Sequence, residues 1–311
     1  MSEQDLTIGV DIGGSHIHCA AINTKTGALL EDTRVYAKVN NKLSKPEIFN
    51  QWAAPLNQIL DRLAVDRVKG IGFAMPGAFN YREGVALYKG NDKYEALYGT
   101  NVKDSFPAYL NRPETPIRFL NDASAFAVGE NWFGEAKGVR RSIAITLGTG
   151  FGSALLEDGI PIVNRADVPE QGCFWHLPLA AGIADDYFST RWFVNTFRSR
   201  TGQEVNGVKE IAELARKEEG AKAIFDLFGS NLGEFLAPWL KKFPAEVIVM
   251  GGNIAKAFDL FSGSLQQVFN DNGLDTAIKV SQLMEDASLF GSARLFEASF
   301  WAAVKDNLPT I

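Results

Sequence analysis

The stretch Ile117-Arg-Phe-Leu-Asn-Asp-Ala-Ser-Ala-Phe-Ala-Val-Gly-Glu130 joins a short apolar run to a series of small residues. Residues 117–120 have strand character, and residues 123–130 are predicted to form a helix. Asn121 and Asp122 stand between them, where a side-chain oxygen can accept hydrogen bonds from the first free amides of the helix. A second interpretation makes Asp122 a general base, because open α/β sheets place their chemistry at the carboxyl ends of strands. This stretch alone leaves both interpretations open.

The composition is that of an ordinary globular chain. Its 311 residues, 46% hydrophobic and 22% charged, are enough for two domains with separate cores. The net charge is −6 without a Lys/Arg cluster, which argues against nucleic acid or anionic membrane as partners. Cys19 and Cys173 are too few for a disulfide framework or a Cys-rich zinc site. A polar N-terminus and the lack of an apolar run near ~20 residues predict a cytoplasmic protein.

The N-terminal region predicts a strand meander built around a glycine turn. Residues 6–10 and 16–22 have strand character and flank Asp11-Ile-Gly-Gly-Ser15, and residues 28–39 continue as a third strand. Gly13 and Gly14 let backbone amides approach a phosphate, because no side chain blocks them. Ser15 adds a hydroxyl donor, and Asp11 is suited to hold Mg²⁺ through water. A tight hairpin without a ligand is the equal alternative.

Further along, residues 46–63 have helical spacing and residues 68–75 form another predicted strand. The region after Pro76 is rich in turn residues and too polar for a core, with Asn80, Gly84, Gly90, Asn91 and Asp92. It is predicted to be either a substrate-contacting loop or a solvated connection. Pro113 and Pro116 mark the predicted domain boundary.

The glycine turn occurs a second time. Residues 141–147 have strand character, Gly148-Thr-Gly-Phe-Gly152 follows, and residues 153–159 complete a hairpin. Two such turns facing each other across a cleft would bind one polyphosphate from both sides. The pair, with Asp122 between the two copies in sequence, favours the phosphate interpretation.

The order of these motifs resembles the ROK family of sugar kinases and repressors, within the actin, hexokinase and Hsp70 superfamily. The motifs are Asp11-Ile-Gly-Gly-Ser15, Met75-Pro-Gly77, Asn121-Asp-Ala123, Leu147-Gly-Thr-Gly150, Val249-Met-Gly-Gly-Asn253 and Leu289-Phe-Gly-Ser-Ala293. The resemblance covers about residues 6–295. It implies an α/β, two-domain actin-like ATPase fold of the ribonuclease H-like type, with a cleft between domains. The domains would be residues 1–117, joined by a helix at about 292–311, and residues 118–291.

The resemblance also implies roles for individual residues. Asp122 would be the catalytic base. ATP and its phosphates would contact Asp11, Gly13, Gly14, Ser15, Gly148, Thr149, Gly150, Gly251, Gly252 and Asn253. The sugar would contact Gly77, Asn91, Asn121, Asp122, Glu170, His176 and Asp185. ATP and Mg²⁺ are the implied cofactors, and a homodimer is the implied assembly.

One segment departs from the family pattern. The family has Gly-Glu-x-Gly-His followed by a cysteine-rich zinc motif, where this chain has residues 170–189. With His176 aligned, Cys173 occupies the glutamate position, and Glu170 is the alternative source of that carboxylate. Asp185 replaces a second glutamate, with Asp186 in reserve. One Cys and one His cannot close a tetrahedral zinc site, so no structural zinc is predicted. His176 is either a sugar ligand or a packed remnant.

The remaining segments are predicted scaffold. Helices are expected over residues 186–201, 208–217, 221–243 and 255–272, a strand over 245–250, and a closing helix over 288–304 that returns to the N-terminal domain. Seven aromatic residues on these helices are expected in the core or at a subunit contact: Trp192, Phe193, Phe197, Phe225, Phe228, Phe235 and Trp239.

Together these observations predict an ATP- and Mg²⁺-dependent hexose kinase. Glucose is the default substrate, N-acetylated and epimeric hexoses are alternatives, and the 6-hydroxyl is the expected acceptor. A DNA-binding repressor is disfavoured because the chain begins at its first strand. A catalytically inactive sugar-binding regulator remains the alternative, because the sugar segment is altered.

Overall fold

The computed structural model describes residues 6–90 and 93–309. They form two compact units. Unit 1 extends to Phe133 and resumes at Glu285, and unit 2 runs from Gly134 to Met284. Asn91, a predicted sugar contact, lies outside the described residues.

The strands of unit 1 are β1 (Leu6–Ile12), β2 (His16–Asn23), β3 (Val35–Lys38), β4 (Val68–Met75), β5 (Phe79–Asn80), β6 (Val85–Ala86) and β7 (Ile117–Asn121). Five of them form a mixed sheet with the order β3-β2-β1-β4-β7. In this sheet β1 is antiparallel to β2 and parallel to β4, and β4 is parallel to β7. The other two, β5 and β6, form a separate two-stranded hairpin.

The predicted meander is confirmed, but its third strand is shorter than the predicted residues 28–39. A 3-10 turn at Glu31–Thr33 precedes β3. The buried Thr33 hydroxyl accepts a hydrogen bond from the Ala21 amide at 2.8 Å and donates to the Leu30 carbonyl at 2.6 Å. The Thr33 side chain thus bonds the Ala21 amide, which a backbone carbonyl would have bonded if β3 were longer.

Three helices complete the first part of unit 1: α1 (Lys45–Arg62), α2 (Val102–Ser105) and α3 (Asp122–Phe133). α1 begins where the Glu47 carboxylate accepts from the Ser44 amide at 3.0 Å, a typical N-terminal capping contact. Its apolar face is buried as predicted, at Ile48, Trp52, Leu56, Ile59 and Leu60.

The observed division of the chain differs from the predicted boundaries at residues 117 and 292. β7 pairs with β4, and α3 follows β7 and packs on a helix of unit 1. Strand pairing and helix packing therefore place residues 118–133 in unit 1, whereas the sequence prediction had assigned them to the C-terminal domain.

The region after Pro76 is more buried than its polar sequence predicted. Phe79, Tyr81, Tyr88, Tyr94 and Phe106 are all fully buried. Their rings pack against one another and against the α1 aromatics. The expectation that this region is too polar for a core is wrong, because its aromatic residues alternate with the turn residues and enter the core of unit 1.

The strands of unit 2 are β8 (Arg141–Leu147), β9 (Phe151–Glu157), β10 (Ile160–Pro161), β11 (Pro178–Leu179), β12 (Gly182–Ile183), β13 (Val247–Gly251) and β14 (Ala277–Val280). Five of them form a mixed sheet with the order β10-β9-β8-β13-β14, and β11 and β12 form a separate two-stranded sheet. The helices of unit 2 are α4 (Ala184–Tyr187), α5 (Thr190–Thr201), α6 (Val208–Ala215), α7 (Glu219–Lys242) and α8 (Phe258–Asp271).

The predicted aromatic core is confirmed for five of the seven aromatic residues, which are buried, while Trp192 and Trp239 pack partly buried against it. The predicted single helix over 186–201 is interrupted. Ser189 has extended backbone angles and separates α4 from α5.

The C-terminal segment belongs to unit 1 and is also interrupted. α9 (Asp286–Ala293) and α10 (Ala298–Val304) are separated by a 3-10 turn and by the extended residue Glu297. The Glu297 side chain accepts from the Ser299 amide at 3.0 Å and so begins α10. The continuous helix predicted over 288–304 is therefore two helices.

Glycines allow α9 to lie directly on α3 and on the sheet. A Cβ atom at Gly291 would lie 1.8 Å from the Ala125 carbonyl oxygen, and one at Gly129 would lie 1.9 Å from that of Ala287. A Cβ at Gly72 in β4 would lie 1.9 Å from the Ser292 carbonyl oxygen. Only residues without a side chain permit this backbone approach. We call the set Gly9, Gly72, Gly129 and Gly291 the glycine seam.

Within the part of the chain that the structure describes, no helix is both long enough and apolar enough to span a membrane.

Candidate functional site

Three predicted motifs end at one edge of the unit 1 sheet. Asp11 in β1 lies beside Ala74 of β4, and Met75 lies beside Asn121 of β7. These three strands are parallel, so their carboxyl ends meet at the same edge. The structure therefore brings together the Asp11–Ser15 turn, the Met75–Gly77 turn and Asp122.

The first glycine turn, residues 13–15, connects β1 to β2 and is called turn 1. The Gly13 amide donates to the His16 carbonyl at 2.9 Å, which closes the predicted hairpin. The Tyr94 hydroxyl donates to the Gly13 carbonyl at 2.6 Å, and the Asn41 amide donates to the Gly14 carbonyl. Protein donors thus occupy both glycine carbonyls, which would otherwise repel an anion. Ser15 is exposed.

Asp11 lies in a strongly acidic environment. Burial, followed by the charges of Asp122 and Glu285, raises the pKa of the Asp11 carboxyl to about 7. Neighbouring carboxylates repel a further negative charge, so this position favours a cation.

The sequence left two roles open for Asn121 and Asp122, helix capping and general-base catalysis, and Asn121 takes the capping role. The Asn121 side-chain oxygen accepts from the Ser124 amide at 3.1 Å and caps α3. Its amide group donates to the Tyr81 hydroxyl at 3.1 Å and to Asp122 Oδ1 at 3.0 Å. Both Asn121 donor hydrogens are therefore used within the protein, which fits a positioning role better than the predicted sugar contact.

Asp122 is held in one orientation. Its Oδ1 also accepts from the Ala123 amide at 2.8 Å, so two protein donors hold this oxygen. Burial raises the pKa of Asp122, while hydrogen bonds from Ala123 and Asn121 and the charge of Lys93 oppose that rise. A partly desolvated carboxylate with a raised pKa is suited to accept a proton.

The Met75–Gly77 turn is fixed by two buried tyrosines. The Tyr81 hydroxyl donates to the Met75 carbonyl at 3.1 Å, and the Tyr88 hydroxyl donates to the Pro76 carbonyl at 3.1 Å. Gly77, a predicted sugar contact, is exposed at this edge of unit 1.

Two residues beside turn 1 were not identified from the sequence. Tyr94 contacts turn 1 through its hydroxyl, and the Lys93 side chain runs along Gly14. The spacing of Tyr81, Tyr88 and Tyr94 within a polar region was the available signal.

The second glycine turn, Gly148–Gly150, connects β8 to β9 in unit 2 and is called turn 2. The Gly148 carbonyl accepts from the Thr190 amide at 2.8 Å and from its hydroxyl at 2.9 Å. Thr149 is exposed, and Gly148 and Gly150 are half-buried. As in turn 1, protein donors hold a carbonyl of the turn.

Asp185 supports turn 2. Its Oδ1 accepts from the Phe151 amide at 2.7 Å, and its Oδ2 accepts from Arg191 at 2.9 Å. A Cβ atom at Gly150 would lie 2.8 Å from Asp185 Oδ1. Both carboxylate oxygens have protein partners, so Asp185 positions the turn. Asp186, the reserve candidate, accepts from the Ile183 amide at 3.1 Å.

The glycines after β13 lie beside turn 2. Gly251 pairs with Thr146 of β8. Gly252 has a φ of 84°, and a Cβ there would lie 2.3 Å from the Leu147 carbonyl oxygen, so only glycine fits. Asn253 is exposed and accepts from Lys256 at 2.8 Å.

A cavity of about 570 Å³ adjoins these glycines. It has the size of a small-molecule site, and it shares Thr190 with the support of turn 2. Its lining includes Thr190, Gly207, Lys209, Arg216, Asn253 and Lys256. The sequence did not identify the cationic residues of this lining, which come from two separate helical segments.

The altered sugar segment forms a small cluster in unit 2. Cys173 Sγ lies 3.7 Å from His176 Nδ1, and the Trp175 ring meets the His176 ring edge-on at 5.4 Å. Burial, and to a smaller extent the charge of Glu170, raises the pKa of Cys173 to about 12. The Cys173 side chain is therefore a neutral thiol. Glu170 is exposed, and Trp175 is 41% exposed.

The metal-binding capacity of these sites is limited. Across residues 6–90 and 93–309, no group of three or more His, Cys, Asp or Glu side chains is arranged to hold a metal ion. Cys173 and His176 offer two donors, one of them protonated, and do not fit tetrahedral zinc. Asp11 fits a water-mediated contact with Mg²⁺, which usually retains several of its waters.

Comparison with known proteins gives a consistent result. Glucokinase from Thermotoga maritima is 22% identical over 325 aligned residues, covering 93% of this chain and 96% of that protein. N-acetyl-D-glucosamine kinase from Photobacterium profundum is 24% identical over 265 residues, covering 79% and 84%.

A ROK family glucokinase from Streptomyces griseus, solved with glucose and AMPPNP, has the same fold with a TM-score of 0.74. It is 23% identical, with 93% of this chain and 98% of that chain covered. The predicted two-domain, actin-like α/β fold is thereby confirmed. The family model described as ROK family matches residues 7–299. Because this match spans nearly the whole sequence, the chain belongs to the ROK family.

Proposed function

We propose that the protein is an ATP- and Mg²⁺-dependent hexose kinase, with Asp122 as the general base. The observation that carries this proposal is the fixed Asp122 carboxylate, which lies at the same sheet edge as turn 1 and Gly77. An oriented, partly desolvated carboxylate beside a glycine turn suits the transfer of a phosphoryl group to a hydroxyl.

In the proposed reaction, the sugar 6-hydroxyl oxygen forms a bond to the γ-phosphorus of ATP. The bond between that phosphorus and the β–γ bridging oxygen breaks, and ADP leaves with the electron pair. Asp122 accepts the hydroxyl proton as the new bond forms. Asn121 acts indirectly, because it orients the Asp122 carboxylate and caps α3.

The nucleotide-binding residues proposed in unit 2 are turn 2, Gly251, Gly252 and Asn253. The adjoining cavity supports this assignment because it is large enough for a nucleoside and is lined by Lys209, Arg216 and Lys256. In unit 1, Gly13, Gly14 and Ser15 would supply backbone and hydroxyl donors to phosphate oxygens.

The proposed Mg²⁺ contact is Asp11, through water. Carboxylate oxygens are hard donors that suit this ion, and the neighbouring charges of Asp122 and Glu285 concentrate negative potential there. When bound, Mg²⁺ would neutralise part of the phosphate charge.

For the sugar, glucose remains the default proposal, with N-acetylated and epimeric hexoses as alternatives. The compared relatives carry the names of kinases for glucose and for N-acetyl-D-glucosamine. In this chain, Cys173 and His176 are proposed to face the sugar, with Glu170 as a nearby carboxylate. A neutral thiol accepts hydrogen bonds poorly, so the substrate is expected to need fewer polar contacts there.

A sugar-binding regulator without turnover is the second candidate. It is favoured because both Asp185 oxygens accept from protein donors. It is also favoured because the Cys173 thiol stands where the family has a glutamate.

The test is ADP release from Mg·ATP across a panel of glucose, mannose, N-acetylglucosamine and N-acetylmannosamine. Asp122→Asn should lower kcat by about 10²- to 10⁴-fold. Asp66→Asn, an exposed position in the same unit, serves as the matched control and should retain activity.

Thermal unfolding distinguishes loss of chemistry from loss of fold. Burial raises the folded-state pKa of Asp122 above its unfolded value, so ionising it costs stability at neutral pH. The neutral Asn variant should therefore unfold at or above the wild-type temperature. Equal kcat for Asp122→Asn and wild type would exclude Asp122 as the base. Sugar binding by calorimetry without ADP release would favour the regulator.

A further inference from the structure

Lys93 lies directly beside turn 1. Its Cε atom is 3.4 Å, and its Cδ atom 3.6 Å, from the position that a Cβ atom would take at Gly14. The side chain therefore runs across the open face of a glycine whose carbonyl is already held by Asn41. The ammonium group, one bond beyond Cε, is therefore close to turn 1.

The backbone that carries Lys93 is anchored by the next residue. Tyr94 is fully buried, and its ring packs on Trp52 at 5.3 Å and on Tyr88 at 5.7 Å. Its hydroxyl bonds to the Gly13 carbonyl at 2.6 Å. Tyr94 also has a φ of 53°, which is unusual for a bulky residue and is maintained only where the surroundings require it. This anchor determines where the lysine side chain begins.

Carboxyl groups lie near one another at this edge of unit 1. The charges of Asp122 and Glu285 both act on Asp11. The positive charge of Lys93 also acts on Asp122, where it lowers the carboxyl pKa against the effect of burial. A phosphoryl group brought to this edge would meet three carboxylates, so a fixed cation would offset their repulsion.

We propose that Lys93 is a catalytic residue whose ammonium group contacts the transferred phosphoryl group and stabilises its charge in the transition state. This inference rests on the proposed kinase function. No proton is transferred to or from Lys93, since Asp122 accepts the hydroxyl proton and ADP leaves with the electron pair of the broken bond. Fixed positive groups at the site of developing charge are typically among the largest contributions to catalysis.

The test compares Lys93→Met with Lys89→Met, an exposed lysine in the same segment. Lys93→Met should lower kcat by about 10²- to 10³-fold, with sugar KM changed less than about twofold, because the contact forms mainly in the transition state. Lys93→Arg should recover at least about tenfold of that loss, and Lys89→Met should match wild type.

A pH profile separates catalysis from a structural role. Loss of the Lys93 charge removes an interaction that lowers the Asp122 pKa, so the acid limb of kcat/KM should move to higher pH in Lys93→Met. In Lys93→Arg the limb should stay at its wild-type position. Asp11, which interacts with Asp122 through charge, and Glu285, which acts on Asp11, are unchanged in both variants.

Active wild type with equal kcat for Lys93→Met and Lys89→Met would overturn this inference alone. An equal loss of kcat in Lys93→Met and Lys93→Arg, with the acid limb of kcat/KM at its wild-type pH in both, would also overturn it. A wild type that phosphorylates no hexose would overturn the proposed function, and this inference with it.

Discussion

Turn 1 and turn 2 have similar sequences but different surroundings. Both connect antiparallel strands, and both have a glycine carbonyl held by a protein donor, Tyr94 in turn 1 and Thr190 in turn 2. Next to turn 1, burial and then the charges of Asp122 and Glu285 raise the pKa of the Asp11 carboxyl to about 7. At turn 2, the Asp185 carboxylate accepts hydrogen bonds from the Phe151 amide and from Arg191, whose positive charge offsets its own.

This difference predicts different roles for the two turns. A glycine turn with neutralised surroundings can bind phosphate through its amides alone. A turn beside ionisable carboxylates needs added positive charge before it can accept a phosphate. One of these carboxylates can then act as the base. Turn 1 therefore fits the proposed phosphoryl transfer, and turn 2 fits the proposed nucleotide contact.

The supports of the two turns differ as well. Beneath turn 1, the glycine seam brings α9 onto α3, the helix that begins with Asp122. At turn 2, Gly252 makes a comparable approach to the Leu147 carbonyl. The position of Asp122 thus depends on close helix packing, whereas turn 2 depends on side-chain hydrogen bonds.

The largest expected effect comes from breaking the seam. Gly291→Ala would place a Cβ atom 1.8 Å from the Ala125 carbonyl oxygen, and rigid backbone stands on both sides. We expect a loss of at least about 3 kcal/mol in the free energy of unfolding, measured by urea titration.

Gly263→Ala is the matched control for this substitution. Gly263 lies inside α8 with no other heavy atom within 4 Å of an added Cβ. Alanine in an open helix interior should stabilise the protein by about 0.5–1 kcal/mol. A Gly291→Ala protein with the wild-type urea midpoint would contradict the role assigned to the seam.

A smaller effect is expected at turn 2. Asp185→Ala would leave the amide of the buried Phe151 without its acceptor, at a cost of about 1–3 kcal/mol. Asp185→Asn keeps an acceptor oxygen and loses mainly the exposed Arg191 ion pair, which costs at most about 1 kcal/mol. Denaturant midpoints and the affinities for ATP and sugar would be measured for both variants.

The same pair of variants separates two roles for Asp185. If it positions turn 2, Asp185→Ala should weaken ATP binding, and Asp185→Asn should bind both ligands nearly as wild type does. An equal loss of sugar affinity in both variants would instead support the direct sugar contact predicted from the sequence.

The sequence predicted best what depends on local pattern. The bounds of β4 and β8 match the predicted residues 68–75 and 141–147, because continuous apolar runs end there at Pro76 and Gly148. Both glycine turns also follow from local sequence, and so does the position of Asp122 between a strand and a helix.

The sequence predicted poorly what depends on distant partners. Burial of Tyr81, Tyr88 and Tyr94 requires acceptors at Met75, Pro76 and Gly13, and spacing along the chain does not reveal such pairs. The family resemblance assigned Asp185 to the sugar, which stays a prediction, and nothing in its local sequence shows that the Phe151 amide donates to it. Lys93 was missed for the same reason, since its neighbour Gly14 is far away in sequence.

The smallest expected effect concerns the bond between Tyr94 and turn 1. Burial raises the pKa of Tyr94 well above its usual value, so the hydroxyl remains a donor across the working pH range. Tyr94→Phe keeps the buried ring and removes only the donor to the Gly13 carbonyl, at a cost of about 1 kcal/mol. If turn 1 binds phosphate, the freed carbonyl should raise the KM for ATP by about fivefold. Tyr98→Phe, at a 55% exposed position in the same segment, should change neither the unfolding midpoint nor the KM. An unchanged KM in Tyr94→Phe, with the expected loss of stability, would leave turn 1 as a hairpin and assign phosphate binding to turn 2 alone.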